Sequence, residues 1–311
     1  MQNKKGVKQR NSVVFIIMAY SAQSVNDYVL FNNNQNENPN QLDSIYFCDF
    51  VQQASPTSSG PGTDGSPFSF TTVSTTINRS AAQSTAYGIT AGHGLINIAT
   101  TALIGGLAVL ESNSASIPGL TAPSSGLITK YECETSFLFQ NIYTPDESYG
   151  YVRFGFMNSA TTPADGVYFQ FWVNGVLDPI EGYYIDDSPL NTTWNIVWEK
   201  DDNLSSFDTG ITVSSNKIYQ LYLGIEVNSS GNFTTTYKVV NKTDGTSASG
   251  TASPSSNTHY PSGITDYMKP SWINSSIGNG INDDGLFPTF VMDYIGARIR
   301  RPLTREILLF S

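Results

Sequence analysis

The stretch "KIYQLYLGIEV" (residues 217–227) decides the fold class. Tyr219, Leu221, Leu223, Ile225 and Val227 recur at every second position, with Gln220 and Glu226 between them. A period of two is that of an extended strand, whose successive side chains point to opposite faces. One apolar face and one polar face place such a strand in an antiparallel sheet packed on one side. Neighbouring segments repeat the pattern. "NTTWNIVWEKDD" (191–202) lines up Trp194, Ile196 and Trp198, and "NFTTTYKVVNKTDG" (232–245) alternates Phe233, Thr235, Tyr237 and Val239 before an Asp244-Gly245 turn. "SYGYVRFGFMN" (148–158) sets Val152, Phe154 and Phe156 against Tyr151 and Arg153. "ADGVYFQFWVNG" (164–175) sets Val167, Phe169, Phe171 and Val173 against Tyr168, Gln170 and Trp172. Half-buried strands joined by closely spaced turns predict an all-β, antiparallel two-sheet sandwich.

Composition agrees with that class. Charged residues make up 14% of the 311, well below the usual share of about 25%, and Ser, Thr, Asn, Gly and aromatics take their place. That mixture suits strands and tight turns. A net charge of −10 excludes a general nucleic-acid binder, because phosphate affinity comes from clustered Lys and Arg. The best helix candidate, "IATTALIGGLAVLE" (98–111), carries Gly105-Gly106 in its middle, at a cost of roughly 1 kcal/mol per Gly relative to Ala. It reads as two strands or a bent one.

Two stretches rich in Ser, Gly and Pro, residues 53–67 and 241–263, read as loops. The first separates an N-terminal arm (1–52) from the sandwich (68–311), which ends in an Arg-rich strand. Ile45, Phe47 and Phe50 indicate that the arm packs on something. At its start, Lys4, Lys5, Lys8 and Arg10 precede the apolar run from Val13 to Tyr20. This resembles a secretory signal and is too short to span a bilayer. A buried or intersubunit strand, or an upstream extension of a chain starting at Met18, fits the same residues.

Few residues offer chemistry. Cys48 and Cys133 lack metal-ligand spacing and read as buried thiols, with a single bridge as the alternative. His93 and His259 sit in no catalytic or zinc motif and read as turn and loop residues. Acidic doublets at Asp186-Asp187, Asp201-Asp202 and Asp283-Asp284 lack the spacing of a calcium loop, so no metal or other cofactor is assigned. Glu132 and Glu134 share a strand face at an α-carbon spacing of roughly 7 Å. Paired carboxylates of that kind serve polysaccharide hydrolases. The laminarinase-like pattern E-x-D-x-x-E is absent, however, with Glu134 at its Asp and Phe137 at its second Glu. Tyr168, Trp172, Trp194 and Trp198 are the candidate stacking platforms for a carbohydrate. Arg298, Arg300, Arg301 and Arg305 stand out in an acidic chain and suit docking to an acidic neighbour.

Taken in order, several segments resemble a sandwich domain that recurs in structural proteins of tailed bacteriophages, including tail fibres and head decorations. The correspondence runs through "GHGLINIATTALIGGLAVL" (92–110), "YVRFGFMNS" (151–159), "DGVYFQF" (165–171), the region 192–227 with its Asp208-Thr209-Gly210 turn, and "MDYIGARI" (292–299). The resemblance implies a concanavalin-like jelly roll in a virion component, oligomeric and often trimeric, partnered by itself and by other virion proteins. It brings no catalytic residue and does not cover the arm. The expectation is a non-enzymatic virion protein without a membrane span. The alternatives are a lectin-like module binding a host surface glycan and a hydrolase using Glu132 and Glu134.

Overall fold

The computed structural model describes residues 41–48, 60–61, 68–73, 75–79, 96–100, 106–112, 128–141, 148–158, 165–173, 176–177, 184–185, 193–201, 203–261, 268–278 and 289–302. Its strands are β1 (Gln41–Cys48), β2 (Gly60–Pro61), β3 (Phe68–Val73), β4 (Thr75–Arg79), β5 (Ile96–Thr100), β6 (Gly106–Ser112), β7 (Ile128–Asn141), β8 (Ser148–Met157) and β9 (Gly166–Val173). They continue with β10 (Val176–Leu177), β11 (Tyr184–Ile185), β12 (Thr193–Lys200), β13 (Asn203–Thr212), β14 (Lys217–Asn228), β15 (Phe233–Asn241), β16 (Thr246–Ala252), β17 (Lys269–Gly278) and β18 (Thr289–Pro302).

Two antiparallel sheets form a sandwich. Sheet A runs β16-β15-β14-β7-β18-β5-β4, with β1 also on β18, and sheet B runs β13-β12-β9-β8-β17-β6-β3-β2. The chain crosses repeatedly from one sheet to the other, as in a jelly roll. "IATTALIGGLAVLE" becomes β5 and β6, one in each sheet. The described part of the arm is β1, which pairs with β18 from Gln41 opposite Pro302 to Cys48 opposite Ile295. Residues 41–48 therefore belong to sheet A.

The core lies between the sheets and follows the alternation read from the sequence. β14 contributes Tyr219, Leu221, Leu223, Ile225 and Val227, β9 contributes Val167, Phe169 and Phe171, and β12 contributes Trp194, Ile196 and Trp198. Cys133 joins them as a free buried thiol, its pKa pushed well up by burial and then by the nearby Glu134 and Glu132. Rings meet mostly edge to face: Phe137 lies 4.8 Å from Trp272 and 5.9 Å from Trp194 between ring centres. Trp198 Nε1 donates across the sandwich to Thr235 Oγ1 at 3.0 Å. Thr235 Oγ1 in turn lies 2.8 Å from the Tyr260 hydroxyl. Burying the indole thus leaves its N–H paired.

Two readings change. Residues 53–67, expected as a loop, contain the short strand β2, which pairs with β3 in sheet B. Residues 241–263, expected as a loop, contain β16 and a single 3₁₀ turn at Asn257–His259. Ser, Ala and Gly are weak strand formers, so β16 is held by its hairpin with β15 rather than by its own preference. Asn241 Oδ1 accepts from the Thr243 and Asp244 N–H groups, and Gly245 supplies the positive φ of 73° that closes the turn.

Gly155 is fixed by close approach. It sits opposite Tyr168, and a Cβ placed on it would lie 2.5 Å from Tyr168 Cα. Backbone cannot yield as a flexible side chain does. Gly155→Ala is expected to destabilise the protein by about 1–3 kcal/mol, read as a lower denaturant midpoint with an unchanged slope.

Candidate functional site

The outer face of sheet A carries the acidic pair. Glu132 and Glu134 lie on β7, between β14 and β18, and both are buried. Their surroundings depend on a bulge in β18. Met292 pairs with Phe137 and Tyr294 with the next residue, Ser136, so Asp293 is an extra residue in the ladder. A one-residue slip exchanges the two faces of a strand. Phe290 and Met292 face the core before the bulge, and Ile295, Ala297 and Ile299 face it afterwards. Tyr294 and Arg298 are thereby turned outward over β7. Thr135 Oγ1 donates to the Tyr294 carbonyl beside the bulge at 2.8 Å.

Arg298 then stands opposite Glu132 and donates from Nε to its Oε2 at 2.7 Å, with both side chains 0% exposed. Tyr222 donates to Glu132 Oε1 at 2.5 Å and Lys130 Nζ lies 3.3 Å from the same oxygen. Gly224 makes room for the phenol, since a Cβ there would fall 2.9 Å from Tyr222 Oη. Glu134 accepts from Tyr294 Oη at 2.7 Å and from Gln220 Nε2, which also reaches Tyr294 Oη at 3.0 Å. Burial pushes the Glu132 carboxyl up. The hydrogen bond and charge of Arg298, then Lys130 and Tyr222, outweigh it and hold the pKa below its ordinary 4.5. Burial also pushes the Tyr222 hydroxyl far up, and the Glu132 charge adds to that.

A second polar group lies on the outer face of sheet B. Arg153 Nε donates to Gln170 Oε1 at 2.7 Å, and its guanidinium lies 4.5 Å from the ring centre of Tyr151 and 4.8 Å from that of Tyr168. Tyr168 donates its hydroxyl to Glu199 Oε2. Burial raises the Tyr168 pKa well above 10, with Arg153 lowering it and Glu199 raising it further. Tyr168 also packs with Met157, Val197, Val109 and Ile273.

The structure corrects several site assignments. Tyr168, Trp194 and Trp198 are 0% exposed. A sugar stacks on an accessible ring face, so none of the three is a platform. Trp194 instead fills the core among Phe137, Phe171 and Tyr219. Arg298 is not a docking residue, because it is enclosed with Glu132. Arg300 is half-buried, opposite Asp43 of β1. The side chains of Trp172, Arg301 and Cys48 lie outside the described residues, as do Arg305 and His93 altogether. His259 sits in the 3₁₀ turn, with Nδ1 3.0 Å from the Ser256 carbonyl oxygen. Of the acidic doublets, Asp201 lies in a turn where its N–H donates to Asp165 Oδ1 at 2.8 Å. Asp186, Asp187, Asp202, Asp283 and Asp284 lie outside the described residues. Among the described residues no cluster of His, Cys, Asp and Glu is arranged to hold a metal, and no helix is long and apolar enough to cross a membrane. The partners of the acidic pair, Tyr222, Gln220 and Tyr294, were not singled out from the sequence. Their only signal is a polar or phenolic residue on the outward positions of apolar strands.

No family model and no curated protein matches the chain. Among solved structures it is similar to the winged bean acidic lectin complexed with methyl-α-D-galactose, at 7% identity over 84% of this chain and 100% of that one, with a TM-score of 0.48. It is also similar to lectin II from Ulex europaeus, at 10% identity over 82% and 98%, TM-score 0.46. A third similarity is to an alginate lyase from Aplysia kurodai, at 10% identity over 71% and 86%, TM-score 0.42. Likeness at this level assigns neither a ligand nor a reaction.

The Glu132–Arg298 pair makes a pH-dependent prediction. Arg298→Met leaves a buried carboxylate short of its main cation and is expected to cost about 3–5 kcal/mol near neutrality. Adding Glu132→Gln restores most of the loss. In the native protein the folded pKa lies below the unfolded one. The contribution is therefore complete above about pH 4.5 and is lost as pH falls through the folded value. The gap in thermal midpoint between native protein and Arg298→Met is widest at neutral pH and narrows on acidification, as thermal melts across a pH series will show.

Proposed function

We propose that this chain works by binding, as a non-catalytic structural or adhesive subunit of a surface assembly, of the virion kind that its strand motifs resemble. The state of Glu132 carries the reading. A general acid for glycoside cleavage must hold its proton near neutrality, which requires a raised carboxyl pKa. Glu132 is held down instead, with Arg298 on one oxygen and Tyr222 and Lys130 on the other. A tyrosine base needs an accessible phenolate, whereas Tyr222 and Tyr168 are buried and pushed away from ionisation. These groups act on one another, which suits rigid sheets that present a surface.

Glycan recognition is the second reading, at a different place from the buried aromatics. Phe207 on β13 is 36% exposed, with its ring centre 5.6 Å from that of Tyr237. Half-buried Ser205, two residues away, shares its face of β13 and accepts from the Ser255 N–H at 3.1 Å. An accessible ring beside a hydroxyl group is the equipment for stacking and orienting a sugar.

Both readings are tested on the purified full chain. Incubation with neutral and uronate-containing polysaccharides is expected to release neither reducing ends nor unsaturated uronates. Turnover that disappears in Glu132→Gln overturns the binding proposal. On a panel of immobilised glycans, binding that Phe207→Ala abolishes supports the second reading, and binding indifferent to that change removes it.

A further inference from the structure

β16, "TSASGTA", is the outermost strand of sheet A. It pairs with β15 along its whole length, from Thr246 opposite Asn241 to Ala252 opposite Thr235, without a shift in register. Among the described residues nothing pairs with its other edge. Thr246, Ser247, Ser249, Gly250 and Thr251 are exposed, Ala248 is half-buried and only Ala252 is buried. Edge strands ordinarily carry a Lys, a Pro, an inward charge or a bulge that prevents pairing with another chain. β16 carries none of these.

The edge is also held firmly. The turn before it is closed by Asn241 Nδ2 donating to Asp244 Oδ2 at 2.9 Å and by Lys217 Nζ at 2.5 Å from Asp244 Oδ1. Ser255 N–H beyond it donates to Ser205 Oγ of β13 at 3.1 Å. A preformed, unguarded edge has little left to order when it pairs.

We propose that β16 is a homodimer seam, in which two copies pair this strand antiparallel with Ser249 opposite Ser249. Sheet A then continues from one copy into the next. The occupant follows from the side chains. Strand addition by a foreign peptide gains specificity from pockets for alternate side chains, and a row of Ser, Ala, Gly and Thr offers none. Its own copy fits throughout: Thr246 meets Ala252, Ser247 meets Thr251 and Ala248 meets Gly250, all small pairs. In a chain of net charge −10, an edge without a charge is where two copies meet without repulsion. Antiparallel pairing of a strand with itself closes on a two-fold axis, as isologous dimers do. The seam rests on the reading of the chain as a binding subunit and names its partner as a second copy.

Light scattering on the full chain across a dilution series is expected to give twice the monomer mass of 33.9 kDa. Ser249→Lys places two like charges directly opposite each other. It is expected to halve the mass at an unchanged circular dichroism spectrum. Ser249→Cys is expected to cross-link into a covalent dimer on mild oxidation. Opposed α-carbons in an antiparallel pair, about 4.5–5.5 Å apart, fall within the disulfide range. Ser230→Cys, exposed in the turn between β14 and β15, is expected to remain monomeric on the gel. A native monomer overturns the seam. So does an oligomer, trimeric or otherwise, that survives Ser249→Lys and fails to cross-link at position 249. Polysaccharide turnover refutes the binding reading and leaves mass and cross-linking unaffected, so the two failures are distinguishable.

Discussion

A single extra residue in β18 organises the centre of this protein. Asp293 interrupts the alternation, so the strand presents Phe290 and Met292 to the core before it and Ile295, Ala297 and Ile299 after it. Without the bulge, the second half of the strand would turn Arg298 inward and three apolar residues outward. With it, Arg298 lies opposite Glu132 on the outer face of sheet A. The arginine and the carboxylate are each costly to bury alone and tolerable together. The pair joins β18 to β7 near the middle of the sheet, and Tyr222 extends the connection to β14.

The sandwich interior is held by a different kind of contact. Aromatic rings from both sheets meet edge to face, and the Trp198–Thr235–Tyr260 chain ties β12 of sheet B to β15 of sheet A and to the segment after β16. Trp198 Nε1 enters this core with a partner at hand, whereas Trp194 Nε1 and Trp272 Nε1 are buried without one among the described residues. The outer faces repeat the arrangement with ions: Glu132 with Arg298 and Lys130 on sheet A, Arg153 and Glu199 with Gln170 and Tyr168 on sheet B. Of the residues that resemble catalytic or binding equipment in isolation, Glu132, Glu134, Tyr168, Trp194, Trp198 and Arg298 are buried in or against the sheets. What remains exposed on β13 and β16 is mostly small and hydroxyl-bearing, with Asn203, Leu204, Phe207 and Asp208 of β13 among it.

Much of the fold was legible because alternation is local. The period of two in β14, β12, β9 and β8 is written within each segment, and its apolar members are the core residues. The glycine pair at Gly105-Gly106 marked the break between β5 and β6 for an equally local reason. β16 was missed because its Ser, Ala and Gly carry no strand signal, and its pairing comes from the turn beside it. The site was less legible still. Arg298 reads as a solvated or docking cation because the run of arginines suggests an exposed edge, while its partner Glu132 stands 166 residues earlier in the chain. Trp194 and Trp198 were read correctly as one face of a strand, but their residue type also suited a sugar platform. Only burial separates those two uses.

The most direct measurement is the titration of Glu132 itself, followed by the carbon resonance of its side-chain carboxyl in selectively labelled native protein. The pairing with Arg298, Lys130 and Tyr222 predicts that this carbon stays at its carboxylate shift as pH is lowered past 4.5, changing only below that value or when the protein unfolds. A Glu132 that takes up its proton between about pH 5 and 7, the range of a working general acid, would contradict both the locked pair and the non-catalytic role built on it.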